Sequence, residues 1–207
     1  MAGRRRFDED AALDAAMRLF WEKGFEGASV AALEDRTGLN KSSLYNAWTS
    51  KEALYDVCLR RFSARYGAHM AEALRAPTFA AALSGLFERL LARFEDEDVP
   101  DGCLTTMATM EAGDPGGPGG RAASEAQEAM RRALAERIER AVGDGDAPTG
   151  VTGGADADRL AAAILAQARG LAVLNRSSGG AALARDAAKG FLAALGVALA
   201  DKPEAAG

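Results

Sequence analysis

Apolar residues recur at helical spacing along most of the chain. The first such segment carries one apolar face at spacings of three and four residues, formed by Leu13, Ala16, Met17, Phe20 and Trp21. A helix buries such a stripe against a core, so the spacing predicts a helix over residues 8–23 that ends at Gly24. Alanine is abundant and β-branched residues are sparse, which favours helix and leaves little material for a sheet. We therefore expect an all-α protein.

Two short helices joined by a glycine-containing turn follow the first helix. Ser29 is positioned to cap one of them, and Gly38 is suited to end it in a left-handed conformation. Asn40 is positioned to cap the other, whose Leu44 and Trp48 return to the core. Short helices connected in this way are typical of a helix-turn-helix motif.

Longer helical segments make up the remainder of the chain. Ser50 is positioned to cap a helix that continues to Ala76, because Pro77 does not fit in a helix interior. The later periodic segments predict helices over residues 78–94, 101–111, 156–175 and 181–200. A further helix is expected between two glycine-rich loops, which cover residues 113–120 and 143–154. The last two helices form a hairpin, and residues 202–207 are expected to form a disordered tail.

The hydropathy pattern of the 207-residue chain argues against a membrane protein. No run of about 18 apolar residues occurs, so no segment is expected to span a bilayer. The basic triplet at residues 4–6 is followed by acidic residues 8–10, where a secretory signal would need an apolar run. We therefore expect a cytoplasmic protein without a membrane partner.

The residue types needed for metal binding or catalysis are scarce. The two cysteines, Cys58 and Cys103, are too few for a disulfide framework and lack the paired spacing of a zinc site. The single histidine, His69, argues against a multi-histidine metal centre and against a Ser-His-Asp triad. No glycine-rich phosphate loop follows a predicted strand. We expect no metal, no cofactor and no enzymatic activity.

Basic residues are concentrated near the start of the chain, and polar residues line one of its short helices. Residues 1–66 hold 11 Lys and Arg against 10 Asp and Glu, whereas the remainder holds 14 against 20. A helix that enters the major groove needs a polar, exposed face near its N-terminus. The second short helix offers such a face, formed by Asn40, Lys41, Ser42, Ser43 and Asn46.

The segment TGLNKSSLYNAWTSKEALY, residues 37–55, resembles the DNA-binding domain of the TetR family of one-component transcriptional regulators. The resemblance covers roughly the first 60 residues and includes FWEKGFEGASV, residues 20–30. Trp48 stands where Phe is typical, and Ala47 where His or Tyr is frequent. The resemblance implies a helix-turn-helix domain over residues 1–49, joined by a long helix to an effector-binding and dimerisation domain over residues 50–201.

The resemblance also implies how DNA is held. Tyr45 and Lys51 match the phosphate-contacting tyrosine and lysine of the family, and Ser29 can hold a phosphate on the helix that it caps. The alternative for Tyr45 is a half-buried core aromatic, and for Ser29 a helix cap alone. Residues 4–6 are either a minor-groove arm or a solvated tail. The expected DNA-binding residues are Ser29, Lys41, Ser42, Ser43, Tyr45, Asn46 and Lys51.

One predicted helical face carries three sulfur atoms, from Cys103, Met107 and Met110, which we call the sulfur face. Soft ligands at this spacing suit Cu(I), and a thiolate near a helix N-terminus suits oxidation or alkylation as a signal. The alternative is that these residues line an adaptable apolar pocket. Cys58 is expected to be a small core residue.

The helices that the family uses for its pocket and interface give two further sets of candidates. A small, largely apolar effector is expected to contact Phe62, Tyr66, His69, Phe79, Leu83, Phe87, Phe94, Cys103, Thr106, Met107, Met110 and Leu134. The closing hairpin is expected to form a four-helix bundle with its mate in a homodimer, anchored by Leu171, Leu174, Phe191 and Leu195. Small residues on both helices are expected to permit close approach in this interface: Ala161, Ala162, Ala163, Ala166, Ala168, Gly170, Ala172, Ala187, Gly190, Ala194 and Ala198.

The expected function is that of a repressor whose binding to double-stranded operator DNA is released by a small-molecule effector. Effector binding would tilt the helix that begins at Ser50 and change the spacing of the two recognition helices. Two alternatives stay open on the same scaffold: a redox or copper sensor that uses Cys103, and a constitutive DNA-binding factor without an effector.

Overall fold

The computed structural model describes residues 8–114, 116–177 and 180–199, so that the basic triplet 4–6 and the expected tail 202–207 lie outside the described residues. The described residues contain helices and no strand, as the pattern predicts. The elements are α1 Glu9–Gly27, α2 Val30–Thr37, α3 Lys41–Trp48, α4 Lys51–Phe62, a π-helical turn Ser63–Gly67, α5 Ala68–Ala73, α6 Phe79–Phe94, α7 Leu104–Ala112, α8 Gly120–Gly143, α9 Ala155–Arg176 and α10 Gly180–Ala194.

The predicted caps of α2, α3 and α4 form as expected, and Thr78, the first residue of the predicted helix 78–94, caps α6 in the same way. In each case a side-chain oxygen accepts from a backbone N–H three residues later, at 3.2 Å for Ser29, 2.9 Å for Asn40, 3.1 Å for Ser50 and 3.1 Å for Thr78. These contacts satisfy N–H groups that have no partner inside the helix. Helix boundaries in the N-terminal part of the chain therefore follow from local sequence.

Glycines end two of the first helical segments. Gly38 closes α2 with φ +69°, and Gly24 interrupts α1 with φ +74°, both in a region that favours glycine. The prediction that the first regular helix stops at Gly24 agrees with this break, although residues 25–27 resume helical hydrogen bonding.

The predicted helix from Ser50 to Ala76 continues without a break to Ala73, but it is not α-helical throughout. The α-helical bonding of α4 ends at Phe62 and changes to a π-helical turn over residues 63–67 before α5 begins. After Ala73 the N–H groups bond three residues back, as in Ala76 N–H to the Ala73 carbonyl at 3.1 Å, which tightens the chain before Pro77.

Two other predicted boundaries need correction. Helix α7 starts at Leu104 rather than at residue 101, because Gly102 has φ +82° and donates its N–H to Asn175 Oδ1 at 2.6 Å. Helix α10 ends at Ala194 rather than at residue 200, because Gly196 adopts φ +70° and the Val197 N–H turns back to the Leu192 carbonyl at 2.9 Å.

Packing divides the chain into two compact units. Unit 1 comprises Met1–Ala64 and Cys103–Ala126, and unit 2 comprises Arg65–Gly102 and Gln127–Gly207. Thus α4 and α7 pack with α1 in unit 1, whereas the sequence predicts a domain boundary between residues 49 and 50. The chain passes from one unit to the other within the π-helical turn.

The core of unit 1 is built on aromatic rings. Phe20 and Phe25 lie 4.7 Å and 5.2 Å from Tyr55 between ring centroids, and Trp21 meets Phe62 edge-on at 4.8 Å. Cys58 is fully buried here, as predicted, and burial raises the pKa of its thiol. The aromatic packing fixes α4 against α1 and so sets the position of the start of α4.

Unit 2 has its own core, formed by the inner faces of α6, α8, α9 and α10. Phe87 and Phe191 lie 5.7 Å apart between ring centroids. Asn175 is buried and joins α9 to the segment before α7, since its Nδ2 reaches Asp101 Oδ1 at 3.3 Å while its Oδ1 accepts from Gly102. None of the helices in the described part of the chain has the length and apolarity needed to cross a bilayer.

Candidate nucleic-acid interface

The third helix, α3, is fixed by two buried side chains. Leu44 is 2% exposed and Trp48 6% exposed, and Leu33 of the preceding helix is buried in the same unit. These anchors occupy one side of α3, so the opposite side, which carries Ser42 and Asn46, faces solvent. The helix-turn-helix arrangement predicted from the sequence is therefore present.

The solvent-facing side of α3 holds most of the predicted DNA-binding residues. Lys41, Ser42 and Asn46 are exposed, whereas Ser43 and Tyr45 are half-buried. Lys41 and Tyr45 are one turn apart, and the Lys41 ammonium lies 5.8 Å from the centre of the Tyr45 ring. A side chain such as Tyr45 can pack with its ring and still present its hydroxyl, so both interpretations of this residue stay compatible with its half-burial.

The N-terminus of α3 is closed by two acceptors. Asn40 Oδ1 accepts from the Ser43 N–H at 2.9 Å and from the Ser42 hydroxyl at 3.1 Å. The Glu34 carboxylate, which belongs to α2, accepts from the Lys41 N–H at 2.6 Å. The first turn of α3 is therefore held both by its own cap and by the preceding helix.

Sequence reasoning missed Glu34. A capping box places its acidic residue three positions after the cap, whereas Glu34 comes before Asn40 and reaches Lys41 across the turn. No local spacing signals such a contact, because it depends on how α2 and α3 pack.

The start of α4 lies against α1 and carries the last predicted DNA-binding residue. The Lys51 ammonium sits 4.3 Å from the centre of the Phe25 ring, a cation-π distance that restrains the side chain. The Glu52 carboxylate has a pKa below its usual range, because its own backbone N–H and the Ser50 side chain hydrogen-bond to it. One basic and one acidic group thus flank the N-terminus of α4.

Helix α2 is attached to α1 by an ion pair that the sequence pattern does not reveal. Arg36 donates to both carboxylate oxygens of Glu22, at 2.8 Å and 3.2 Å, and Arg18 donates to the same group at 3.1 Å. The hydrogen bond from Arg36 holds the pKa of Glu22 below its usual range. Ser29, at the start of α2, is exposed and caps the helix.

The candidate effector residues are divided between the two units. Among those in unit 1, Phe62 and Thr106 are buried, Cys103 and Met107 are half-exposed and Met110 is 69% exposed. Among those in unit 2, Tyr66 is half-buried and His69 is exposed, while the buried ones are Phe79, Leu83, Phe87, Phe94 and Leu134. Helical periodicity assigned these residues to apolar faces but did not show that Met110 stays at the surface.

The sulfur face lies along α7, with Cys103 at the N-cap position. Its Sγ lies 3.1 Å from the Thr105 hydroxyl oxygen, and the residue takes part in no disulfide. No group of three or more His, Cys, Asp or Glu side chains suited to a metal ion occurs among residues 8–114, 116–177 and 180–199.

The candidate dimer anchors differ in exposure. Leu171 is fully buried inside its own protomer, whereas Leu174, Phe191 and Leu195 are half-buried. The surfaces of α9 and α10 instead expose small residues with two larger apolar ones, Val173 at 47% and Leu183 at 45%. The exposed small residues from the predicted interface are Ala162, Ala163, Ala166, Gly170, Gly190, Ala194 and Ala198.

Sequence comparison identifies both parts of the chain. Residues 12–58 match the profile of the family described as bacterial regulatory proteins, tetR family, and residues 80–191 match the tetracyclin repressor-like C-terminal domain. The HTH-type transcriptional repressor ComR of Escherichia coli K12 is 39% identical over 99 residues. That match covers 47% of this chain and 47% of ComR, so it spans about half the length of the curated relative.

Structural comparison covers nearly the whole fold. A cysteine mutant of the TetR family transcriptional regulator CifR, complexed with 26-bp double-strand operator DNA, superposes with a TM-score of 0.76 at 31% identity, over 89% of this chain and 97% of that one. Reduced Escherichia coli NemR gives a TM-score of 0.74 at 20% identity, over 86% and 92% of the two chains, and shows the fold alone. Proteins of this kind are transcriptional regulators and not enzymes. The chain therefore belongs to the tetR family of bacterial regulatory proteins.

Proposed function

We propose that this protein is a transcriptional repressor that binds double-stranded operator DNA as a homodimer and is released by a small-molecule effector. The observation that carries the proposal is the exposed polar surface of α3, where Ser42 and Asn46 lie opposite the buried Leu44 and Trp48 and Lys41 is exposed at the first residue of the helix. A short helix held in this way presents its polar side chains to the major groove. CifR, which shares this fold, forms a complex with operator DNA.

The proposed contacts divide into two classes. Lys41, Ser42, Ser43 and Asn46 read base edges, because their amide, hydroxyl and ammonium groups match the donors and acceptors of the major groove. Tyr45, Lys51 and Ser29 hold phosphates and fix the orientation of the protein without reading sequence. The restraint of Lys51 by Phe25 supports this role, since a restrained ammonium loses less side-chain entropy when it binds.

Two substitutions separate these classes. We expect Lys51→Ala to weaken binding to all duplexes alike, by about tenfold, and to reduce the salt slope by about one. We expect Asn46→Ala to relax preference at one base pair, at a cost of about 1–3 kcal/mol for the preferred base. Titration of the purified protein with a selected duplex and with its single-base variants, at several salt concentrations, measures both effects.

The control for the first substitution is Lys189→Ala, which removes the same charge from an exposed site on α10 in unit 2. It is expected to leave affinity and salt slope unchanged. An equal loss of base preference from Lys51→Ala and Asn46→Ala would contradict the division into phosphate and base contacts.

The effector is proposed to be small and largely apolar. Within unit 2, the candidate residues Phe79, Leu83, Phe87, Phe94 and Leu134 are apolar and buried, so an effector that enters among them would bind mainly by removing its apolar surface from water. The π-helical turn at residues 63–67, where the chain leaves unit 1, supports a coupled change, because such irregular turns accompany functional sites in helices. Coupling of about 1–3 kcal/mol is typical for switches of this kind.

A second candidate function is redox or electrophile sensing through Cys103. The observation that favours it is the contrast between the two thiols: Cys103 is half-exposed at the N-cap of α7, whereas Cys58 is buried with a raised pKa. Thiolate chemistry requires access and a stabilised negative charge, which Cys58 lacks.

The contrast predicts a selective alkylation. In the folded protein, N-ethylmaleimide is expected to label Cys103 and to leave Cys58 unmodified, because only the first thiol is accessible. Peptide mass spectrometry after short exposure measures the two sites, and unfolding in urea provides the control in which both react. If labelled protein binds operator as tightly as unlabelled protein, Cys103 is not the sensor. Failure of Cys103 to react in the folded protein would also exclude it.

A further inference from the structure

The carboxylate of Glu34 lies at the N-terminus of the proposed recognition helix but belongs to another helix. Its Oε1 accepts from the Lys41 N–H at 2.6 Å, across the turn that joins α2 to α3. Glu34 is half-buried, and the preceding residue, Leu33, is buried in the core. The backbone from which the carboxylate reaches α3 is therefore held in place. The contact therefore ties the first residue of α3 to α2.

The contact has a favourable local energy. The N-terminus of a helix carries a partial positive charge and N–H groups without partners inside the helix, and a carboxylate stabilises both. Asn40 already occupies the Ser43 N–H, so Glu34 adds an acceptor that the cap does not supply. These contacts hold the backbone of the first turn, which carries Lys41, Ser42 and Ser43.

The same carboxylate is unfavourable for DNA binding in general. It places a negative charge beside the side chains proposed to face the bases, and every DNA sequence brings phosphates of the same sign into that region. This repulsion weakens binding to all sequences alike. The orienting hydrogen bond, in contrast, supports only contacts that depend on the direction of Lys41 and its neighbours.

We propose that Glu34 is a positioning residue for sequence discrimination, in which the accepted hydrogen bond orients the base-reading turn of α3 while the negative charge lowers affinity for all DNA. The inference rests on the proposed DNA-binding function. The hydrogen bond and the negative charge are two separate contributions of the same side chain, and different substitutions can remove one without the other.

Three variants at this position test the inference. Glu34→Gln keeps an acceptor oxygen and removes the charge; Glu34→Ala removes both; Glu34→Asp keeps the charge and withdraws the acceptor by one methylene. The probes are the duplex that the wild-type protein selects from a random-sequence pool and a scrambled duplex of the same composition. Dissociation constants for both probes are measured at several salt concentrations, together with the thermal midpoint of each variant.

The expected pattern is distinct for each variant. Glu34→Gln tightens binding to both probes by about threefold and leaves their affinity ratio unchanged, because only a repulsive charge is lost. Glu34→Ala tightens binding to the scrambled probe similarly but lowers the ratio about tenfold relative to Glu34→Gln. Glu34→Asp lowers the ratio without tightening binding to the scrambled probe, and it provides the test if Glu34→Ala does not fold.

Asp35→Asn is the matched control, since it removes an exposed acidic charge from the same helix. It is expected to leave the affinity ratio unchanged. An unaltered ratio in both Glu34→Ala and Glu34→Asp overturns the positioning role, and a Glu34→Gln variant that binds no more tightly than wild type overturns the electrostatic one. A wild-type protein that selects no duplex contradicts the proposed function itself, whereas normal selection by wild type and all variants contradicts only this inference.

Discussion

Replacement of Gly119 by alanine is expected to destabilise the protein by about 3 kcal/mol or more. The residue has φ +71°, and a Cβ atom there would lie 2.6 Å from both the Tyr55 ring and the Leu59 methyl group. Tyr55 and Leu59 are fully buried, so neither side chain has space to retreat. The strain of the backbone and the clash with the core therefore add.

Gly113→Ala is the matched control in the same loop. Gly113 has nearly the same φ, +69°, but a Cβ atom there meets nothing within 4 Å. This variant is expected to lose only about 1 kcal/mol, from the backbone conformation alone. Urea denaturation followed by circular dichroism measures both free energies of unfolding, and similar values for the two variants would show that the loop does not pack against Tyr55 as described.

The Gly119 prediction also concerns DNA binding, because Tyr55 and Leu59 belong to a helix of the proposed DNA interface. Both lie on α4, whose first residue is Lys51, and the Tyr55 ring packs against Phe25, over which the Lys51 ammonium sits. Gly119 thus helps to fix the helix that carries a proposed phosphate contact. The sequence marked residues 113–120 only as a loop, since a run of glycine and proline does not show what packs against it.

Features set by short-range chemistry were predictable from the sequence. The caps at Ser29, Asn40 and Ser50 and the left-handed Gly38 depend on residues within one helical turn, and all form as expected. The helix-turn-helix motif consists almost entirely of such features. This explains why a stretch of fewer than 60 residues was sufficient to indicate the family.

Features set by contacts distant in sequence were not predictable. The bond from Gly102 to Asn175 moves the start of α7, and the ion pair between Glu22 and Arg36 joins helices whose spacing carries no pattern. The contact of Glu34 with Lys41 spans only one turn, yet it too depends on packing. Each is a polar contact whose geometry depends on how the apolar faces pack the helices together.

Periodicity also leaves open which apolar residues are buried within one protomer. Leu171 and Leu174 lie one turn apart on the same side of α9, but the first is fully buried and the second is half-buried. The pattern identifies an alanine-rich helix with apolar sides and cannot divide its surface between the protomer core and a partner. The structure therefore directs the proposed dimer interface away from Leu171 and towards the exposed small residues.

These exposed residues form a continuous stripe along α9. Ala162, Ala166, Gly170 and Val173 follow at intervals of four, four and three residues, which places them on one side of the helix. Small side chains permit close approach of helices, as in a four-helix bundle of two hairpins. We propose that this stripe, with Leu183 and Gly190 of α10, meets its symmetry mate in the homodimer.

Ala166→Glu is accordingly expected to dissociate the dimer and to weaken operator binding by at least about 100-fold, equivalent to about 2.7 kcal/mol. A glutamate at the centre of the stripe brings two like charges and added volume into the symmetric contact, whereas the exposed position leaves the protomer fold intact. Each half-site would then be bound separately, without the gain in affinity that comes from joining two recognition helices.

Light scattering measures the dimer, and duplex titration measures operator affinity. Ala129→Glu, at an exposed site on α8, is the control that should remain dimeric. An Ala166→Glu variant that stays dimeric and binds operator normally would locate the interface on another surface.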